Sequence, residues 1–339
     1  MKHVPVEEAV GMVLCHDVTR IVPGKHKGPA FKKGHIITSA DIEALLDMGK
    51  ANVYVYDLSQ GYIHENDAAL RIASAAAGAG VNLTSPSEGR VNLTANSGGL
   101  LKVNVDALRG INSTEDVVFT TLHSNLTVNR DQAVAGTRII PLVTMEENVR
   151  RVESICREMS PVIEVKPLRS VSIGIVTTGS EVFKCRIEDK FGPVLHVKFA
   201  ELGCPVAGQV FVSDDADATA DAIRRFIDAG VEMVTVTGGM SVDPDDRSPI
   251  AIRKTGARVI TYGAPVFPGA MFMLAYLDAV PILGLPGCVM YHRTSIFDLI
   301  VPRILAGEIL TREDFVALGH GGFCSGCATC TYPRCGFGK

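Results

Sequence analysis

Val171-Ser172-Ile173-Gly174-Ile175-Val176-Thr177-Thr178-Gly179-Ser180-Glu181 is a short apolar run that ends in small hydroxyl residues and a glycine. A strand buried on both faces of a parallel sheet needs consecutive apolar positions of this kind, and the small residues after it suit a turn at its carboxyl end. The pattern then alternates: a helix is expected over 193–202, a strand over 206–212, a helix over 216–229, a strand over 232–236 and a helix over 248–254. Regular β-α alternation predicts an α/β fold of three layers, α/β/α, around a mostly parallel sheet.

Outward from this stretch the character changes. Pro161, Pro167 and Arg169 bracket a linker. Before it, 39–49 reads as a helix with Ser39 as a possible cap and Gly49 at its end, 53–56 as a strand, and the Ala-rich 68–80 as a helix. Val81-Asn82-Leu83-Thr84 recurs as Val91-Asn92-Leu93-Thr94, too short for a repeat architecture, and 117–143 is rich in β-branched residues, as strands are. The expected organisation is therefore an α+β region at 1–60, a β-rich accessory domain at 61–168, the α/β domain at 169–308 and a Cys-rich, metal-binding tail at 309–339.

The chain of 339 residues is 47% hydrophobic and 21% charged, the composition of a globular protein. Its formal net charge of -4 offers no basic face for nucleic acid, so none is expected as a partner, and an anionic ligand has to be held by local donors. Met1 to Glu8 lacks the apolar core of a signal peptide, and no run reaches the ~18 apolar residues of a membrane span. A cytoplasmic chain with no membrane partner is expected, in which Asn82, Asn92 and Asn125 are not glycosylated.

Ligands of open α/β sheets sit beyond the carboxyl ends of the strands, and three such ends carry unusual sequence. At the first, Thr178, Gly179 and Ser180 leave backbone N–H groups open to an oxyanion and Glu181 can hold a cation or an amino group; the same residues serve equally as a self-satisfied tight turn. At the second, Thr237-Gly238-Gly239-Met240-Ser241-Val242-Asp243-Pro244-Asp245-Asp246, the glycines allow close backbone approach and the carboxylates suit a hard cation such as Mg²⁺. Asp246 can also cap the helix that follows. The third is Leu283-Gly284-Leu285-Pro286-Gly287-Cys288, between a strand and the apolar run 296–305. A nucleophilic Cys288 is the rival reading, but no Asp or Asn is placed to orient a base beside His292, so a structural cysteine is favoured.

Nine cysteines are unevenly spread, and Cys324, Cys327, Cys330 and Cys335 crowd the last sixteen residues as C-x2-C-x2-C-x4-C. In a reducing compartment this spacing suggests a metal before disulfides: an iron–sulfur cluster or Zn²⁺, with a metal-free redox tail as the remaining alternative.

The order Thr177-Thr178-Gly179-Ser180-Glu181, then Ile187-Glu188-Asp189-Lys190-Phe191-Gly192-Pro193, then Thr237-Gly238-Gly239-Met240-Ser241 with Asp246, then Leu285-Pro286-Gly287, resembles the molybdopterin-binding domain of molybdopterin molybdenumtransferases and gephyrin. The resemblance implies that Glu181, Asp214 and Asp246 carry the chemistry, that Thr178, Gly179, Ser180, Asp189, Gly238, Gly239, Ser241, Pro286 and Gly287 surround the pterin and its phosphate, and that Asp243 and Asp246 hold Mg²⁺. It further implies molybdopterin or its adenylated form as ligand, exchange of AMP for molybdate as the reaction, a homodimer, and an apo-molybdoenzyme as a possible client. Ser180 stands where that family has Asp, and Cys288 and Val289 where it has Asn and Pro. Its lysine-bearing segment appears here as Tyr262-Gly263-Ala264-Pro265-Val266-Phe267-Pro268-Gly269-Ala270. With those cations missing, the resemblance supports pterin binding more than molybdate insertion, and a carrier that holds the cofactor without turnover is the competing class.

Overall fold

The computed structural model describes residues 1–22, 26–58, 61–241, 243 and 246–339, and the chain divides into two compact units, Met1–Lys166 and Pro167–Lys339. In the first, strands Lys2–Pro5, Asn52–Tyr56 and Val13–Leu14 form a sheet over helix Asp41–Asp47, closing on Val6, Leu14, Leu45 and Val53. Ser39 does not cap that helix; the Asp41 carboxylate instead accepts the Thr38 N–H at 2.8 Å and bonds the His35 ring at 2.8 Å. The near-repeat of Val81 and Val91 forms one antiparallel ladder, with Asn82 opposite Thr94 and Leu83 opposite Leu93. The helix expected at 68–80 runs Glu65–Ala76, because the buried His64 side chain accepts the Asn66 N–H and starts it earlier.

The second unit contains β1 (Ile173–Thr178), α1 (Ser180–Phe183), α2 (Phe191–Glu201), β2 (Val206–Val212), α3 (Ala216–Asp228), β3 (Met233–Thr237), α4 (Ser248–Lys254), β4 (Arg258–Tyr262), β5 (Met273–Leu277), β6 (Val280–Leu285), α5 (Cys288–Tyr291), α6 (Ile296–Leu305) and α7 (Arg312–Ala317). Six strands make one sheet in the order β2-β1-β3-β6-β5-β4. The first four are parallel, while β5 and β4 run antiparallel to their neighbours, so the α/β expectation holds with a hairpin edge added.

Alternation along the strands sends side chains to two cores, as the period of two requires. Ile173, Ile175 and Met233 join Leu195 and Phe199 of α2 and most of α6 on one face, whereas Val176, Val234 and Val236 meet Ile223 of α3 and Ile252 of α4 on the other. Helices on both faces make the three layers. α6 is buried almost all round because Phe315 of α7 and Phe337 of the tail belong to the same core.

The order of β2, β1 and β3 sets the position of the site. From β1 the chain moves outward to β2, then returns across β1 to β3, so successive connections leave the ends of β1 and β3 in opposite directions. The gap between those two carboxyl ends is the topological switch point, where an open α/β sheet admits a ligand.

Candidate functional site at the strand ends

One ladder row crosses the sheet at Val210, Val176, Val236, Gly284, Met273 and Tyr262. One to a few residues beyond it, five turns leave from one edge, beginning at 179, 213, 238, 263 and 286. Pro286 is buried at this edge and Gly287 is exposed.

The first two turns are tied together by Asp214, whose carboxylate accepts the Ser180 N–H at 2.8 Å. Gly238 brings the β3 turn against β1: its φ is +83°, and a β-carbon there would collide with the Thr178 carbonyl. Only glycine fits both the conformation and the approach. Buried hydroxyls fasten the pair, since Thr178 Oγ1 donates to the Thr237 carbonyl at 3.2 Å and Ser248 Oγ to the Gly238 carbonyl at 2.8 Å. Gly239, adjacent at φ +54°, accepts the Ser248 N–H on its carbonyl at 3.1 Å.

The expected site residues divide into two groups. Thr178, Gly179, Ser180, Asp214, Gly238 and Gly239 stand at the strand ends around the switch point, with Glu181 exposed on α1, whereas Ser241 is exposed further along the β3 turn, where its carbonyl accepts the Tyr262 hydroxyl at 3.3 Å. Asp189 is occupied by its own surroundings. Its two oxygens accept the Phe191 and Gly192 N–H groups that open α2, at 2.9 and 3.0 Å, and the Gln209 amide at 2.7 Å. Asp246 does not cap α4, which starts without a side-chain cap; its carboxylate accepts the Asp243 N–H at 3.3 Å and so closes the loop on itself. Asp245 lies outside the described residues.

Sequence reasoning missed Ser248, Gln209 and Tyr262. Gln209 donates to Thr177 Oγ1 at 2.9 Å beneath the β1 turn, and Tyr262 donates to the Met240 carbonyl at 3.0 Å, steadying the β3 turn. A polar residue in the middle of an apolar strand was the available signal for Gln209; nothing local marked Tyr262.

The four tail cysteines are not gathered into one ligand set, and no group of three or more His, Cys, Asp or Glu that could hold a metal is formed among the described residues. The metal expectation rested on a tail with no core of its own, and that premise is corrected. Phe337 is buried in the core that surrounds α6, Cys324, Tyr332 and Cys335 pack against it, and the Tyr332 hydroxyl donates to the Asp298 carbonyl at 3.3 Å. Packing into a borrowed core holds the tail where metal was expected to. The tail also meets the ligand edge: the Phe267 N–H donates to the Gly322 carbonyl and the Cys324 N–H to the Phe267 carbonyl, both at 2.8 Å, along the segment that replaces the lysine-bearing one.

Cys288 is half-buried, and burial pushes its thiol above the ordinary range, which opposes a nucleophilic role. A separate cavity of about 240 Å³ opens at the other end of the strands, lined by Val171, Met233, Val280 and Ile304 with Arg169 and Glu232 at its rim. It lies far from the turns and is mostly apolar. Among the described residues no helix is long and apolar enough to cross a membrane.

Residues 174–306 match the family profile of a probable molybdopterin binding domain, and residues 3–57 match a domain of unknown function. A molybdopterin molybdenumtransferase of Staphylococcus aureus is 26% identical over 131 residues, 37% of this chain and 31% of that protein. One from Synechococcus elongatus is 27% identical over 125 residues, 34% of this chain and 31% of that protein. The chain thus spans about a third of the length of the curated relatives it matches. Among solved structures, the tungsten cofactor synthesizing protein MoaB from Pyrococcus furiosus is similar at a TM-score of 0.34 and 19% identity, over 41% of this chain and 96% of that one. With its motifs in order along a doubly wound sheet, the stretch 174–306 is similar to the molybdopterin-binding domains of molybdenum cofactor biosynthesis.

Proposed function

We propose that the second unit binds molybdopterin, or its adenylated form, in the cleft between the carboxyl ends of β1 and β3, and acts there as a molybdenumtransferase-like protein that exchanges AMP for molybdate. The observation that carries this reading is the Gly238–Thr178 approach at the topological switch point, with Asp214 drawing the Ser180 turn toward the same gap. Close backbone approach at such a point suits a pyrophosphate, which is bound by main-chain donors more than by charge.

In this reading Gly238, Gly239 and the Ser180 and Ser241 hydroxyls supply donors to phosphate and pterin, and Pro286 and Gly287 shape the far wall. Thr178 and Gly179 shape the turn, with the Thr178 hydroxyl and the Gly179 and Ser180 N–H groups already bonded to Thr237, Val212 and Asp214. Asp189 contributes indirectly, by fixing the start of α2. Glu181, Asp214 and Asp246 are the acidic groups available to the exchange. Mg²⁺ fits the donor chemistry of Asp246 and the exposed Asp243, because that ion is held by one or two carboxylates together with substrate phosphates and water. When bound it would offset the pyrophosphate charge. The setting proposed is a cytoplasmic homodimer.

The carrier reading stays beside it, favoured by one observation: the tail backbone occupies the edge of the Phe267 segment, where the related transferases carry lysine. The test is release of AMP from adenylated molybdopterin, with and without molybdate. Molybdate-dependent release supports turnover; tight binding without release supports a carrier; no binding of either pterin refutes both.

A further inference from the structure

At the amino ends of β1, β3 and β6, away from the ligand turns, the cavity of about 240 Å³ combines an apolar floor with polar groups that the fold leaves unused. Val171, Met233 and Ile304 form the floor and are buried members of the core around α6. Arg169 stands at the mouth. Its backbone is fixed, since the Arg169 N–H donates to the Leu305 carbonyl at 2.9 Å, yet its exposed guanidinium makes no hydrogen bond or ion pair with any described residue. The two acids that also line the cavity are engaged: Glu232 accepts the Ser172 N–H at 3.1 Å, and Glu308 pairs with Arg303 at 2.8 Å. Tyr276, another lining residue, is 7% exposed, and its hydroxyl accepts the Leu310 N–H at 3.4 Å while donating to no described residue. Burial holds that phenol above its ordinary range, so it remains a donor.

We propose that this cavity is a binding site for a small apolar monocarboxylate, whose hydrocarbon part lies on Val171, Met233 and Ile304 and whose carboxylate is held by the Arg169 guanidinium, with the Tyr276 hydroxyl as a second donor. Size and charge each narrow the class. An apolar cavity of ~150 Å³ admits benzene, so this one holds a single ring with a short acidic arm and nothing as large as a nucleotide. A guanidinium beside a low-dielectric wall attracts an anion more strongly than one in bulk water, and its planar fork matches a carboxylate. Arg169 is the single basic residue of the lining, where Glu232 and Glu308 are already negative, so a dianionic phosphate would be left with unmatched charge. A cationic ligand would meet Arg169 itself. Nothing bound at the opposite ends of these strands enters into the binding.

The test is a titration of the full chain, isotope-labelled at its methionine methyls, with phenylacetate, phenylacetamide and phenethylamine. The Met233 methyl, assigned through Met233→Leu, reports from inside the cavity. Phenylacetate is expected to shift it saturably, the neutral amide of nearly the same shape to bind about tenfold more weakly, and the cationic amine not to bind. Arg169→Gln weakens phenylacetate about tenfold and leaves the amide unchanged, a selective loss that damage to the fold would not produce. Tyr276→Phe weakens both probes, because an amide oxygen also accepts from that hydroxyl. Thermal melts of each variant separate lost binding from lost folding, and should Tyr276→Phe fail to fold, Arg169→Gln decides alone. No saturable shift at Met233, equal affinity for acid and amide, or unchanged phenylacetate affinity in either folded variant would overturn the proposal.

Discussion

Asp214 and Ser180 are joined by a 2.8 Å hydrogen bond from the backbone of one turn to the carboxylate of the next, across neighbouring strands β1 and β2. A bond from an amide to a charged acceptor contributes about 1.5–3 kcal/mol, enough to fix a turn but small beside the core. Asp214→Ala is therefore expected to leave the fold intact and to weaken molybdopterin binding about tenfold or more, while Asp214→Asn, which keeps an acceptor, loses less. Titration calorimetry beside thermal melts reads both; equal affinity in the Ala variant would separate this turn from the ligand.

Gly238 and Gly256 have nearly the same backbone, φ +83° and +87°, yet different surroundings. A β-carbon at Gly256 would meet nothing within 4 Å, whereas at Gly238 it would strike Thr178. Left-handed strain alone costs about 1–2 kcal/mol, and forcing apart packed backbone adds about 1–3 kcal/mol. Gly256→Ala should thus lower stability modestly and leave ligand binding unchanged. Gly238→Ala should lower it more and abolish binding, as urea melts and a binding titration on the same samples will determine.

Much of this was legible because a parallel sheet buries both faces of its strands, so the runs at β1 and β3 stand out, and because ligand turns of such sheets occur at fixed places. Two features were not legible, for related reasons. A carboxylate next to free backbone N–H groups bonds those groups, as Asp189 and Asp246 do, and residue type alone does not show it. The tail looked coreless because its partners, α6 and the Phe267 segment, lie tens of residues away in the chain; spacing within the tail holds no record of them. Thr294 as a partner of Cys330 was invisible for the same reason.

Asp314 sets an acid limit on α7. Burial raises its carboxyl, but the Thr311 N–H at 2.8 Å, the Thr311 hydroxyl at 2.9 Å and the Arg303 guanidinium at 2.5 Å outweigh that and leave it below its ordinary value. A carboxyl lowered in the folded state stabilises fully above its unfolded pKa of about 4, and that stabilisation is lost as pH falls through the folded value. Stability of the wild type should therefore drop below about pH 4 more steeply than that of Asp314→Asn, which is weaker at neutral pH but has no such proton to gain. Parallel melts of the two from neutral pH to pH 3 check the sign; curves that stay a constant distance apart would contradict it.

The boundary near 308 that the α/β pattern suggests cuts through a core. Leu310, Phe315 and Phe337 are each at most 3% exposed, and Phe315 stacks on Phe272 with ring centroids 5.8 Å apart. Burying one such side chain contributes about 1.5–3 kcal/mol, so removing three forfeits about 5–9 kcal/mol, against a total stability of about 5–15 kcal/mol for a domain. The second effect of the cut is to bare one side of α6, whose residues are buried almost all round. A fragment of 167–339 is expected to unfold cooperatively in urea, as an independent unit would. A fragment of 170–307 is expected to be aggregated or only partly folded, with exposed apolar surface detected by dye binding. Cys327→Ser in the longer fragment should leave its midpoint unchanged, because that thiol is exposed, while Phe337→Ala should lower stability by about 3–5 kcal/mol. If the shorter fragment unfolds with the same midpoint and slope as the longer one, the tail does not belong to this core.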